Sequence, residues 1–112
     1  MRPDLTPESP LSEVVFVHDY LQLVFQDERL SVFNPCSLTA PGLKLRTGEP
    51  GFCDALVSLI GQTASACAQS SELLSLSFSG GVVLAVLPDQ SGSVEAFAFH
   101  SEGNRVIVER NA

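Results

Sequence analysis

Residues 21–25 and 74–78 read Leu-Gln-Leu-Val-Phe and Leu-Ser-Leu-Ser-Phe, so both segments place Leu, Leu and Phe at alternate positions. Successive side chains of a β-strand point to opposite faces of its sheet, and this spacing therefore puts the large apolar side chains of each segment on a shared face. That face is stabilised only where it is removed from water. The pattern predicts two amphipathic strands that cover a core.

The likeness between the two segments extends beyond these strands. Each is followed by a turn and a second apolar segment, residues 30–33 or 84–87, which ends close to Pro35 or Pro88. Proline has no N–H for a hydrogen-bond ladder and favours turns, so each unit is predicted to be a β-hairpin. Two explanations are open: a duplicated hairpin, or the general similarity of hairpins made from Leu, Val and Phe.

Further strands are predicted on either side of these hairpins. Residues 14–17 form a short apolar run, and residues 64–68 are a weaker strand candidate made of small side chains. In residues 94–100 and 105–109, apolar and polar side chains alternate, and polar turns bound both segments. These segments are predicted to form a C-terminal meander. Residues 37–50 contain Pro, Gly and basic side chains, which indicates a long surface connection.

One segment has helical rather than strand spacing. Its apolar side chains recur one, three or four residues apart, at Phe52, Cys53, Leu56, Leu59 and Ile60. Pro50 suits the start of a helix and Gly61 suits its end, so a helix is predicted over residues 52–60. Because so short a helix is marginal in water, we expect it to pack on the sheet. The packed side chains would be Phe52, Leu56, Leu59 and Ile60.

These elements predict an α+β fold with one helix packed on a mainly antiparallel sheet of about six to eight strands, built from two similar hairpins and the C-terminal meander. The chain has 112 residues, 45% of them apolar, which is enough for one core. We expect a single domain over residues 12–110. Residues 1–11, with three prolines and no apolar run, are predicted to be a flexible leader.

Composition excludes several classes of partner. The formal net charge is −7, which disfavours nucleic acid and anionic membrane surfaces. No apolar run approaches the roughly 18–20 residues that span a bilayer. Three cysteines, Cys36, Cys53 and Cys67, form neither a disulfide framework nor a zinc motif, and they favour the reducing cytoplasm.

Few residues are candidates for chemistry. His18, Asp19 and Tyr20 are the one local cluster of titratable groups in the sequence. Consecutive strand residues point to opposite faces, so a polar turn between strands is the favoured interpretation. Cys53 lies where a helix would begin, and with His18 or His100 it would resemble a thiol enzyme, although its place on the apolar stripe predicts a packed thiol. We therefore predict no catalytic residues, no cofactor and no metal.

Taken together, the runs at residues 19–25, 30–35, 54–61 and 74–78 resemble a family of small uncharacterised bacterial α+β proteins. These residues are core positions and turns, so the resemblance implies a fold and no activity. Some small acidic proteins of this kind inhibit toxins or act as their immunity partners. That parallel rests on size and charge and is an analogy.

Three functions are consistent with the sequence. The first is a non-enzymatic protein-binding or regulatory protein, a homodimer or a partner of another protein, with Val15, Phe16 and Val17 as the interface. The second is a pocket for a small apolar ligand, with Tyr20 and Gln22 among its polar groups. The third is a thiol enzyme that uses Cys53.

Folding is predicted to need no metal, because the cysteine and histidine spacings do not form a site. Protein purified without added ions should contain no stoichiometric metal, and EDTA should leave its melting temperature unchanged. A stoichiometric zinc whose removal unfolds the chain would contradict this prediction.

Overall fold

The computed structural model describes residues 5–18, 20–69, 72–89, 95–101 and 105–110. In chain order its strands are β1 (Glu13–Val17), β2 (Tyr20–Phe25), β3 (Glu28–Val32), β4 (Cys36–Ala40), β5 (Leu43–Arg46), β6 (Ser65–Gln69), β7 (Glu72–Ser77), β8 (Val83–Val86), β9 (Glu95–Ser101) and β10 (Arg105–Arg110). The helix α1 (Phe52–Val57) lies between β5 and β6.

The strands form two antiparallel sheets of five, which confirms the α+β class with one helix among the described residues. The spatial order is β1-β2-β3-β9-β10 in the first sheet and β5-β4-β8-β7-β6 in the second. The prediction of one sheet with six to eight strands is wrong in these details. Inward-facing side chains of both sheets belong to one hydrophobic cluster, so the sheets pack against each other around a shared core.

The extra strands come mainly from residues 37–50, which the sequence predicted as a surface connection. Here β4 and β5 pair as a hairpin whose turn contains Gly42 at φ +74°. Leu38 is buried, whereas Leu43 and Lys44 are exposed at the sheet edge. The outer face of this edge hairpin carries polar side chains, so the composition of the segment is like that of a loop. The alternation of apolar and polar residues was therefore not recognised in the sequence.

Both halves of the chain follow the same path. Strands β1, β2 and β3 form a meander in the first sheet, and the next hairpin, β4–β5, crosses to the second sheet. Strands β6, β7 and β8 form the corresponding meander in the second sheet, and β9–β10 crosses to the first. Each sheet therefore consists of a meander from one half of the chain and a hairpin from the other.

The register of the two central hairpins is also equivalent. Leu23 pairs with Leu30 in one hairpin, and Leu76 pairs with Leu84 in the other. The neighbouring inward pair follows the same rule, Leu21 with Val32 and Leu74 with Val86. The second hairpin differs by one additional residue in its turn. The likeness seen in the sequence is thus a likeness of strand pairing as well as of composition.

Matching hydrogen bonds hold the two crossovers. The Phe33 N–H donates to the Ala96 carbonyl oxygen at 2.9 Å, and at the equivalent place in the other half the Leu87 N–H donates to the Pro35 carbonyl oxygen at 3.0 Å. The Asn34 side-chain amide also donates to the Leu87 carbonyl oxygen, at 2.7 Å. The two crossovers are therefore bonded to each other where the chain changes sheets.

Residues 5–11, which were expected to form a flexible leader, contribute to the packed domain. Leu5 and Leu11 are each 1% exposed and belong to the core cluster. The buried carboxylate of Glu28 accepts a hydrogen bond from the Glu8 N–H at 2.6 Å. These apolar and polar contacts join residues 5–11 to the core and to β3. The domain bounds expected from the sequence stay a prediction.

The helix begins at Phe52 as predicted and ends at Val57, after which turns lead the chain to Gly61. Phe52 and Leu56 are buried, and α1 contacts β1 of one sheet and β4 of the other. Leu59 is buried as well, but Ile60 is 43% exposed, so the predicted packing of Ile60 is wrong. The early end of the helix changes the direction in which this side chain points.

Leu56→Ala should lower the free energy of unfolding by roughly 2–5 kcal/mol, because Leu56 has no exposed surface and its truncation leaves a cavity. The adjacent Val57→Ala is the matched control. Val57 is 44% exposed, and its truncation should change stability by less than about 0.5 kcal/mol. Urea unfolding measures both changes, and equal effects would show that the helix does not pack as described.

Candidate functional site

Strand β1 lies at an edge of the first sheet, where it pairs with β2. Residues 14–17 bear no charge, and Phe16 and Val17 are 45% and 41% exposed. The opposite edge, β10, exposes Val106 and Val108. Edge strands present unpaired backbone N–H and C=O groups, and soluble proteins usually protect them with charge or a covering segment. Between its end residues, β1 has no such charge.

A cavity of about 300 Å³ opens beside the C-terminal end of β1. It is bounded by side chains that lie far apart in the sequence. They are Phe16, Val17, His18, Tyr20, Leu21, Val32, Phe33, Asn34, Pro35, Thr47, Gly48, Phe52, Cys53 and Asp89. These residues belong to the β1–β2 hairpin, the crossover after β3, the turn after β5, the first turn of α1 and the segment after β8. The cavity is thus located at the crossover end of the two sheets.

Aromatic rings form much of its wall. The rings of Tyr20 and Phe33 are in contact, with centroids 5.3 Å apart and planes inclined by 48°. Phe16 and Phe52 add two more rings. Such a wall suits a flat or apolar group. Of the two residues predicted for a pocket, Tyr20 lines this cavity, whereas Gln22 lies further along β2 and its amide donates to the Ser31 hydroxyl at 3.1 Å.

Two polar residues of the wall have structural roles. The Asn34 side-chain amide donates a hydrogen bond to the Leu87 carbonyl oxygen of the other crossover. The Thr47 hydroxyl accepts a hydrogen bond from the Cys36 N–H at 2.8 Å, which fixes the turn after β5 against β4. Besides Tyr20, the titratable groups among the described residues of the wall are His18, Cys53 and Asp89. They come from three separate segments, and the fold brings them to one cavity.

The cysteines differ from the sequence prediction. Cys53 is exposed rather than packed on the helix stripe, because α1 turns Phe52 and Leu56 inward and leaves the thiol at the cavity. Cys36 is the buried one. Burial raises the pKa of its thiol to about 12, and the hydrogen bond with Thr47 opposes this rise. A thiol with so high a pKa has almost no thiolate at neutral pH.

The histidine candidates are separated by the fold. His18 lies at the cavity with Cys53, whereas His100 is on β9 opposite Arg29 and Val106 and does not line it. Asp19, the predicted partner of His18, lies outside the described residues. In the part of the chain that the structure describes, no three His, Cys, Asp or Glu side chains are grouped so that they could hold a metal ion. The prediction of metal-free folding awaits its measurement.

Sequence reasoning missed the contribution of both crossovers to the cavity. Phe33, Asn34 and Pro35 were interpreted as the end of a hairpin, and Asp89 as part of a polar turn. The available signal was the equivalent proline that follows each hairpin. These prolines mark the two places where the chain leaves a hairpin. They do not show that the two places lie close together, because that depends on the exchange of hairpins between the sheets.

No protein-family model, curated protein or solved structure matches this chain. The resemblance to small bacterial α+β proteins therefore stays a prediction. Among the described residues, no helix has the length and apolar character that a membrane span requires.

Thiol reactivity should distinguish the cysteines. In the folded protein near neutral pH, iodoacetamide should alkylate Cys53 readily, because it is exposed, and Cys36 hardly at all, because burial both blocks access and raises its pKa. Peptide mass mapping measures each site, and alkylation after unfolding in urea is the control in which Cys36 should react. Equal rates for both thiols in the folded chain would contradict the described packing.

Proposed function

We propose that this protein is a non-enzymatic binding protein that pairs its edge strand β1 with an extended, basic segment of another protein. An added strand is bound by main-chain hydrogen bonds to the edge, and neighbouring pockets select its side chains. Inhibition of a basic partner, the role expected by analogy for small acidic proteins, is one function that such pairing would serve.

The observation that carries the proposal is the position of β1. It combines an open edge with the exposed apolar side chains of Phe16 and Val17, and the cavity begins at the same two residues. Val14 packs against the core cluster and therefore lies on the inner face of β1. Side chains alternate between the faces of a strand, so Val15 and Val17 lie on the outer face. A strand added to β1 would cover apolar surface and satisfy edge backbone groups together.

Charge favours a basic partner over a second copy of the chain. Thirteen Asp and Glu residues against six Lys and Arg give a net charge of −7. Opposite charge on a partner would accelerate its association, whereas two copies would repel each other at low ionic strength. The homodimer expected from the sequence remains the alternative occupant of β1, and the experiment below distinguishes it.

The cavity supports a second candidate function, the binding of a small apolar molecule. Its volume of about 300 Å³ and its aromatic wall are typical of a compact ligand site. The thiol-enzyme hypothesis gains from the presence of His18 and Cys53 on the same wall. It loses support from the shortness of α1, whose six residues provide only a small dipole to stabilise a thiolate.

Binding at β1 is tested with an acetylated, amidated peptide of sequence Lys-Val-Thr-Val-Thr-Val-Lys. We expect it to slow amide hydrogen exchange in residues 13–17, measured by NMR, because an added strand bonds the outward N–H groups of an edge. Val15→Lys with Val17→Lys should abolish this protection. Val17→Lys alone, at a side chain 41% exposed, should weaken it without risk to folding.

The matched control is Val106→Lys with Val108→Lys on β10, which makes the same change on the opposite edge of the same sheet. This variant should retain the protection of β1. Loss of protection in both double variants, or protection of β10 instead, would contradict the proposal. Analytical ultracentrifugation of the wild type tests the alternative occupant. A dimer that forms with rising protein concentration would show that a second copy of the chain occupies β1, and the homodimer would then replace the basic partner in the proposal.

A further inference from the structure

We propose that the cavity beside β1 is a specificity pocket for the side chain of an arginine in the bound segment. This inference rests on the proposed function and names the partner chemistry that the cavity selects. Three observations support it: the aromatic side chains of the wall, the charge of the wall, and the contact between the cavity and the edge strand.

The wall is rich in the side chains on which a guanidinium group stacks. Four aromatic side chains line it, and the rings of two of them, Tyr20 and Phe33, are inclined to each other by 48°. A guanidinium is planar and weakly hydrated, so it stacks on aromatic faces more readily than an ammonium does. A wall of this kind therefore favours arginine over lysine.

The charge of the wall has the complementary sign. Asp89 contributes a carboxylate, and the described residues that line the cavity include no Lys or Arg. Asp89 is only partly exposed, and a carboxylate can accept several hydrogen bonds from the fork of N–H groups on a guanidinium. The negative net charge of the whole chain adds to this local preference.

The cavity is continuous with the edge strand. Phe16 and Val17 belong both to β1 and to the cavity wall, although they point to opposite faces of the strand. A segment paired with the end of β1 would consequently deliver one of its side chains to the opening. The volume of about 300 Å³ is at the lower end of ligand cavities, which suits one long side chain better than a larger molecule.

The probe for this inference is N-acetyl-arginine amide, and the matched control ligand is N-acetyl-citrulline amide, which has nearly the same shape without the charge. Titration of the labelled protein by NMR should shift the signals of cavity residues with the arginine probe. Citrulline amide should bind about fivefold more weakly or not at all, since it lacks the cation–π and charge-assisted contacts.

Two variants test the wall. Asp89→Asn should weaken arginine amide about fivefold, whereas Asp27→Asn, which removes the same charge from an exposed turn outside the cavity, should have little effect. Phe16→Leu removes one ring at a half-exposed position, so it should also weaken binding in a chain that still folds. Equal affinities for the arginine and citrulline probes, or equal effects of the two Asp variants, would overturn the inference.

The two proposals fail in different ways. If the strand peptide protects β1 and arginine amide does not bind, the arginine pocket is wrong and the edge pairing stands. If arginine amide binds and the strand peptide gives no protection, the pairing is wrong, and with it the assignment of the pocket to a bound segment. Signals that move only at residues outside the cavity would overturn the pocket as well.

Discussion

Backbone hydrogen bonds at the two crossovers join the two halves of the chain where it changes sheets. Phe33 bonds Ala96 where the chain leaves the first sheet, and Leu87 bonds Pro35 at the equivalent point of the second. Buried peptide groups must be paired, so a crossover is tolerated only where another segment supplies the partners. Here the carbonyl oxygens of Ala96 and Pro35 supply these partners, each from the half of the chain that does not contain its donor. Each sheet is completed by a hairpin from the other half.

The candidate site follows from the same exchange. Because both crossovers meet at one end of the molecule, aromatic side chains from the first half and Asp89 from the second half line one cavity. Strand β1, the first strand of its meander, is left at the sheet edge beside it. The candidate binding surface is therefore a consequence of the topology, which places the edge strand, the aromatic side chains and the Asp89 carboxylate next to one another.

Much of the local structure was predictable, and the tertiary arrangement was not. Alternating leucines gave the hairpins at residues 21–33 and 74–87, since a period of two records which face is buried. The β4–β5 hairpin was not predicted, because its outer side chains are polar. Phe16, Val17 and Tyr20, which the sequence had singled out, line the cavity. The place of Asp89 depends on long-range strand pairing that no local pattern records.

Each sheet depends on a hairpin from the other half of the chain, and this dependence can be measured. Its most direct test is to prepare residues 1–61 and 62–112 as separate polypeptides and follow urea unfolding by circular dichroism, singly and mixed. We expect neither fragment to unfold cooperatively, because in each one a three-stranded meander would face only the two-stranded hairpin that belongs to the other sheet. We expect the equimolar mixture to regain a cooperative transition. Cooperative unfolding of either fragment in isolation would contradict the exchanged arrangement.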